Sequence, residues 1–177
     1  MGLQTFGQII TGPVNADFAT IVATTETVLI PTALTPIAAL PYSTKVYELK
    51  VGGTCTTGTA GTLIIQPRFG TTISGTSLGV SPTQNYVPSV TLAPFLFECY
   101  VIIRSNGLPG GNSTLVCSGK WVSNGAIATA ASSTVVTCGG ASVGSLDTSI
   151  ASALWIGVTF SVAPSIIPRW HTWRDLS

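Results

Sequence analysis

The sequence predicts an all-β protein: an antiparallel β-sandwich of about eight strands, preceded by an extended N-terminal arm. Two observations point there, and a third bears on the surface. Helical periodicity is almost absent. Short segments of alternating apolar and polar residues recur along the chain, separated by Gly, Pro, Ser and Asn. Only 7% of the 177 residues are charged, where about 25% is usual for soluble domains. The length suits one domain with its own core.

Residues 1–17 read as an arm, polar and Gly-containing, with no sustained apolar face. Ala19 to Thr24 and Thr27 to Ile30 are β-branched and strand-like, and Pro31, Pro36 and Pro41 then break the chain into an extended loop. The clearest strand is Lys45 to Val51, with Tyr47, Leu49 and Val51 on one face, and Gly52-Gly53 is expected to end it. Thr62 to Phe69 follows, with Leu63, Ile65, Pro67 and Phe69 aligned; Pro67 marks an edge or a bulge. Gly70 to Gly79 reads as a loop. Phe95 to Arg104 puts Phe95, Phe97, Cys99, Val101 and Ile103 on one side. A turn over Ser105 to Asn112, with Asn106-Gly107 and Pro109-Gly110, returns the chain into Thr114 to Val122 as a hairpin. Ala128 to Ala131 could form no more than a helical turn. Ser133 to Cys138, Leu154 to Val162 and Ile166 to Trp173 complete the strands. The division is therefore a lead-in, residues 1–44, with one or two strands, and a sandwich, residues 45–177.

Composition narrows function. Net charge is +1, and the seven basic residues are scattered from Lys45 to Arg174, so no cluster exists for phosphates and nucleic-acid binding is not expected. The 21 uncharged residues between Asp147 and Arg169 are long enough for a membrane helix. They are interrupted by Ser152, Gly157, Thr159, Ser161, Pro164 and Ser165, and Leu154 to Val162 alternates as a strand does, so no membrane span is expected. The N-terminus shows neither a basic start with an apolar run nor a myristoylation pattern, because Phe6 stands where Ser or Thr is required. Cys55, Cys99, Cys117 and Cys138 contain no CxxC pair and read as buried free thiols in place of zinc ligands.

Candidate chemistry fails on context. Gly75-Thr76-Ser77-Leu78-Gly79 matches the G-x-S-x-G elbow, and Ser77, Asp147 and His171 follow a hydrolase chain order. The elbow needs a strand before and a helix after, and here it lies in a Gly/Thr loop. His171, the single histidine, could pair with Asp175, but in a strand the two lie roughly more than 10 Å apart; a polar residue between Trp170 and Trp173 is the plainer reading. Acidic residues never come in close pairs, which argues against calcium loops and glycosidase chemistry. The double glycines read as turns, and Asn112-Ser113-Thr114 as a turn that happens to match a glycosylation sequon. No enzyme activity and no cofactor or metal are expected. Trp170 and Trp173 suit either an interface or the base of the core.

Three runs carry a resemblance: KVYELKVGGTCTTGTAGTLIIQPRFGTTISGTSLG, FLFECYVIIRSNGLPGGNSTLVCSGKW and SLDTSIASALWIGVTFSVAPSIIPRW. They share a Lys-x-Tyr strand, a Gly-Thr-Leu strand ending in Arg-x-Gly-Thr, and a strand ending in Arg-Ser-x-Gly followed by a hairpin. Over Lys45 to Trp170 this resembles a group of tailed-bacteriophage structural proteins. The resemblance implies a jelly-roll-like virion component of the capsid decoration or cement type, placed on the capsid exterior, with the major capsid protein as partner and a homo-oligomer, a trimer by analogy. It transfers no catalytic residues, and the four cysteines and the proline-rich lead-in depart from it. Charge-poor composition and an arm suit such a lattice-bound subunit. Residues 1 to about 40 are then the expected attachment segment, with Phe6, Ile9, Ile10, Phe18 and Ile21 as anchors and Trp170 and Trp173 next. In the competing reading, Ala19 to Ile30 forms the first strands of the sandwich. A tail-fibre or receptor-binding domain contacting host glycans is the alternative function, and a secreted lectin or hydrolase a third.

Overall fold

The computed structural model describes residues 8–15, 17–39, 44–72, 74–105, 113–124, 133–140 and 143–177. Within them the chain forms strands β1 (Gln8–Asn15), β2 (Thr27–Val28), β3 (Pro36–Ile37), β4 (Val46–Thr57), β5 (Gly61–Gly70), β6 (Thr76–Ser77), β7 (Gln84–Tyr86), β8 (Val90–Ser105), β9 (Ser113–Asn124), β10 (Ser133–Gly139), β11 (Val143–Leu146), β12 (Ser152–Phe160) and β13 (Ser165–Asp175). Thr32–Leu34 form one 3-10 turn. The fold is an all-β sandwich of two antiparallel sheets. A seven-stranded sheet runs β1-β13-β4-β8-β9-β10, with β11 also paired to β9. A six-stranded sheet runs β2-β12-β5-β6, with β3 on β12 and β7 on β5. Four of these strands are only two or three residues long, which accounts for the excess over the expected number.

The alternation read from the sequence sets the core. Tyr47, Leu49 and Val51 of β4, Phe97, Cys99, Val101 and Ile103 of β8, and Leu115, Cys117 and Trp121 of β9 are all buried. They meet Leu63, Ile65 and Phe69 of β5 and Leu154, Ile156, Val158 and Phe160 of β12. The β8–β9 hairpin is paired from Phe95↔Ser123 to Ser105↔Thr114. Pro67 stands at an edge in effect. Its carbonyl accepts from Leu78 N–H on the side where β5 meets only the short β6 and β7, so its missing N–H costs no ladder bond.

Three expectations need correction. The glycines Gly52-Gly53 do not end β4, which continues to Thr57. They are needed inside it: a Cβ on Gly52 would lie 2.3 Å from the Trp170 indole, and one on Gly53 would lie 2.2 Å from the Ile167 carbonyl oxygen. Residues 8–15 are not free of secondary structure. They form β1 against β13, from Gln8↔Asp175 to Asn15↔Trp170, with register breaks between Ile9 and Thr11 and between Thr11 and Val14. Gly12 at φ +90° sits against the His171 carbonyl. Those two irregularities erase the period of two by which a strand is recognised. The lead-in beyond it also joins the sandwich: Ile21 bridges Ile166, and β2 pairs with β12. The expected turn at 106–112 and the Ala128–Ala131 turn lie outside the described residues.

Candidate functional site

The thirteen charged side chains are almost entirely committed to one another. On the outer face of the larger sheet, Glu48 accepts from Lys50 at 3.1 Å and from the Tyr100 hydroxyl at 2.8 Å, with Arg174 at 4.0 Å. Glu98 takes Lys120 at 2.8 Å and Lys50 at 3.5 Å. Strand register makes this ladder: Arg174, Glu48 and Tyr100 lie in one row, and Lys50, Glu98 and Lys120 in the next. The Lys120 ammonium holds the Glu98 carboxyl below its usual range, and the bond to Glu48 pushes the Tyr100 phenol up.

On the smaller sheet Arg68 grips both carboxylate oxygens of Glu26, at 2.8 and 2.9 Å, and also bonds Gln66 and the Gly75 carbonyl. Gly157 leaves the room for Glu26 to lie there, since a Cβ would stand 2.1 Å from Glu26 Oε1. Lys45 pairs with Asp175, and Arg169 with Asp17. Among the described residues, Arg104 and Asp147 are the two of the thirteen without an ion pair, and Asp147 accepts from the Ser149 N–H and hydroxyl.

The expected attachment residues do not share one surface. Ile9 and Ile10 are exposed on β1, at 44% and 39%. They border a groove of about 620 Å³ shared with Pro36, Ile37, Ala38 and Ala39. Phe18 is half-buried, packed on the core and edge-on to His171 at 5.6 Å. Ile21 and Trp173 are inside, at 5% and 0% exposure. Trp173 stacks on Tyr47 at 5.1 Å and donates from Nε1 to the Pro36 carbonyl at 2.9 Å, so within this chain it belongs to the core. Trp170 lies on the opposite, outer face, over Gly52. Phe6 lies outside the described residues.

The would-be triad is dispersed. Ser77 sits in β6, bonded to Gln66 and to Gly79. Asp147 is occupied by Ser149. His171 is fully buried in the larger sheet beside Thr11. No hydrogen bond joins the three. The four cysteines are buried free thiols, not joined in disulfides. The Cys99 and Cys117 sulfurs approach to 3.2 Å, and burial pushes Cys55 up to about 11 and Cys138 up to about 12. Among the described residues no group of three or more His, Cys, Asp or Glu is arranged to hold a metal ion, and no helix is long and apolar enough to cross a membrane.

Sequence reasoning missed the Glu26–Arg68 clamp and the groove beside β1. The first joins residues far apart in the chain, and the second is made by a strand that lacks strand periodicity. Comparison of the chain with family models, curated proteins and solved structures found no match.

Proposed function

We propose that this chain is a structural protein of a tailed-phage virion, a decoration or cement protein. In this reading it binds the major capsid protein on the outer surface of the capsid lattice and bridges neighbouring subunits. The observation that carries the reading is the division of its surface. Eleven of thirteen charges are used up in contacts within the chain, while Ile9 and Ile10 stand exposed along a groove of mixed lining, with Ile37 and Ala38 beside the paired Lys45 and Asp175. A surface with few free charges and exposed isoleucines gains by being covered, because removing apolar area from water contributes about 25 cal/mol per Å². Many copies, each burying about 1,600 Å² of interface, would add mechanical stability to a shell without chemistry at any one site. The resemblance over Lys45 to Trp170 supports the same class. A homo-oligomer, a trimer by that analogy, is part of the proposal.

The test mixes purified protein with capsids that lack it and measures co-sedimentation. Wild type should pellet with the capsids and raise their resistance to heat, and particle images should show added density outside the shell. An Ile9→Ser/Ile10→Ser double variant that stays folded should bind more weakly. Wild-type protein that stays in the supernatant, or that binds host cells instead, would defeat the capsid assignment.

A further inference from the structure

We infer that His171 is an acid-sensitive latch that holds strand β1 on the sandwich and releases it, with the fold otherwise intact, as pH falls below about 6.5.

The ring is fully buried, yet Nδ1 has no hydrogen-bond partner. Its other nitrogen, Nε2, lies 3.2 Å from the Thr11 hydroxyl. That hydroxyl has a single hydrogen, which it donates to the Leu34 carbonyl. It can therefore only accept from the ring. The proton is on Nε2, Nδ1 is bare, and the imidazole is neutral. A second proton would place a charge and an unpaired N–H in a dry site, which is costly.

Among the described residues no charged side chain is bonded to the ring, and those on the surrounding elements are engaged elsewhere. β1, Gln8–Asn15, contains no ionisable residue. In the segment after it, Asp17 is engaged by Arg169 and Glu26 by Arg68. On β4, Glu48 and Lys50 belong to the outer ladder, and Val51 is the residue opposite His171. On β13 itself, Arg174 turns to Glu48 and Asp175 to Lys45. The Phe18 ring packs against the imidazole in a T-shaped contact, centroids 5.6 Å apart. Burial accordingly lowers the affinity of the ring for a proton.

The element that yields is the one resting on the ring. Among the described strands β1 pairs with β13 alone, and its register breaks twice in eight residues. Three of its attachments converge here: the Thr11 bridge to Leu34, the Thr11 contact with Nε2, and Gly12 set on the His171 carbonyl. The sign follows from linkage. His171 takes up a proton less readily with β1 docked than with β1 away, so docking is fully favoured above the free value of about 6.5 and weakens as pH falls through and below it. The ratio of released to docked strand rises up to about tenfold per pH unit in that window.

Amide exchange, corrected for intrinsic rates, tests this between pH 7.5 and 5. The β1 amides should lose protection by about tenfold or more while those of β8 and β9 keep theirs. In His171→Gln, which has no titrating ring, the β1 profile should be flat. Because the chain has one histidine, its imidazole can also be titrated directly by NMR in the wild type, with an expected midpoint below the ordinary value. The proposal is overturned by a midpoint at or above about 6.5, by β1 and β8–β9 losing protection in one step, or by an unchanged pH profile in a folded His171→Gln. This latch does not depend on the capsid reading and survives if that reading fails.

Discussion

Replacing Trp173 by alanine separates a core tryptophan from an interface one. The side chain is fully buried, stacked within 9° of parallel on Tyr47, and bonded through Nε1 to the Pro36 carbonyl. Truncating a buried tryptophan costs about 3–5 kcal/mol. The lost stacking adds about 0.5–1.5 kcal/mol beyond area, and the Pro36 carbonyl loses its donor at a cost of about 1 kcal/mol. With partial relaxation around the cavity, about 4–6 kcal/mol is expected, a large share of the roughly 5–15 kcal/mol that holds an ordinary domain. For an m-value of about 2–3 kcal/mol/M in urea, the midpoint should fall by about 2 M. Trp173→Phe keeps a ring against Tyr47 and loses the hydrogen bond and part of the volume, so its midpoint should fall between the two. Equilibrium unfolding followed by circular dichroism measures all three. A Trp173→Ala midpoint within about 0.3 M of wild type, under 1 kcal/mol at that m-value, would mean the indole is not seated in the core.

Two further outcomes follow from close contacts. Gly52→Ala should destabilise by about 1–3 kcal/mol, because the new methyl meets the Trp170 ring at 2.3 Å; in a Trp170→Ala background the same change should cost under about 0.5 kcal/mol, and an undiminished cost there would put the strain elsewhere. The thiols should be inert. With Cys55 raised to about 11 and Cys138 to about 12 by burial, and Cys99 held up by its bond to Cys117 and by burial, thiolate is scarce at pH 8 and grows only towards those values. A disulfide reagent should find almost nothing in native protein at pH 8 and four groups in denaturant; rapid labelling of any thiol in the folded state would contradict this.

The larger part of the sandwich was legible because long strands with one buried face announce themselves. Tyr47, Leu49 and Val51 alternate with Glu48 and Lys50, and the structure buries the first set and builds the ion ladder with the second. The Phe95–Ile103 row and its hairpin partner read equally well. What failed to read was set by distant chain. Gly52-Gly53 looks like a stop until the Trp170 ring is laid on it. Strand β1 hides behind Gly12, Pro13 and two register breaks. Trp170 and Trp173 face opposite ways, as a separation of three in a strand implies, but which of them turns inward depends on the register of β13 against Tyr47. The groove beside β1 inherits that difficulty, since Ile9 and Ile10 lack a recognisable strand around them.

The position of β13 has a consequence for how the protein is made. It lies between β1 and β4, so residues 46–57 meet their partner on that side only when residues 165–175 arrive, and residues 8–15 have nothing to pair with until then. At about 5–20 residues per second of synthesis, β4 waits on the order of 5–20 s with one edge bare. During that interval the β4–β8–β9 meander is an open template for a neighbouring nascent chain. Closure of the sheet awaits β13, and β1, although it precedes β4 in the chain, can take its place only after β13 has arrived.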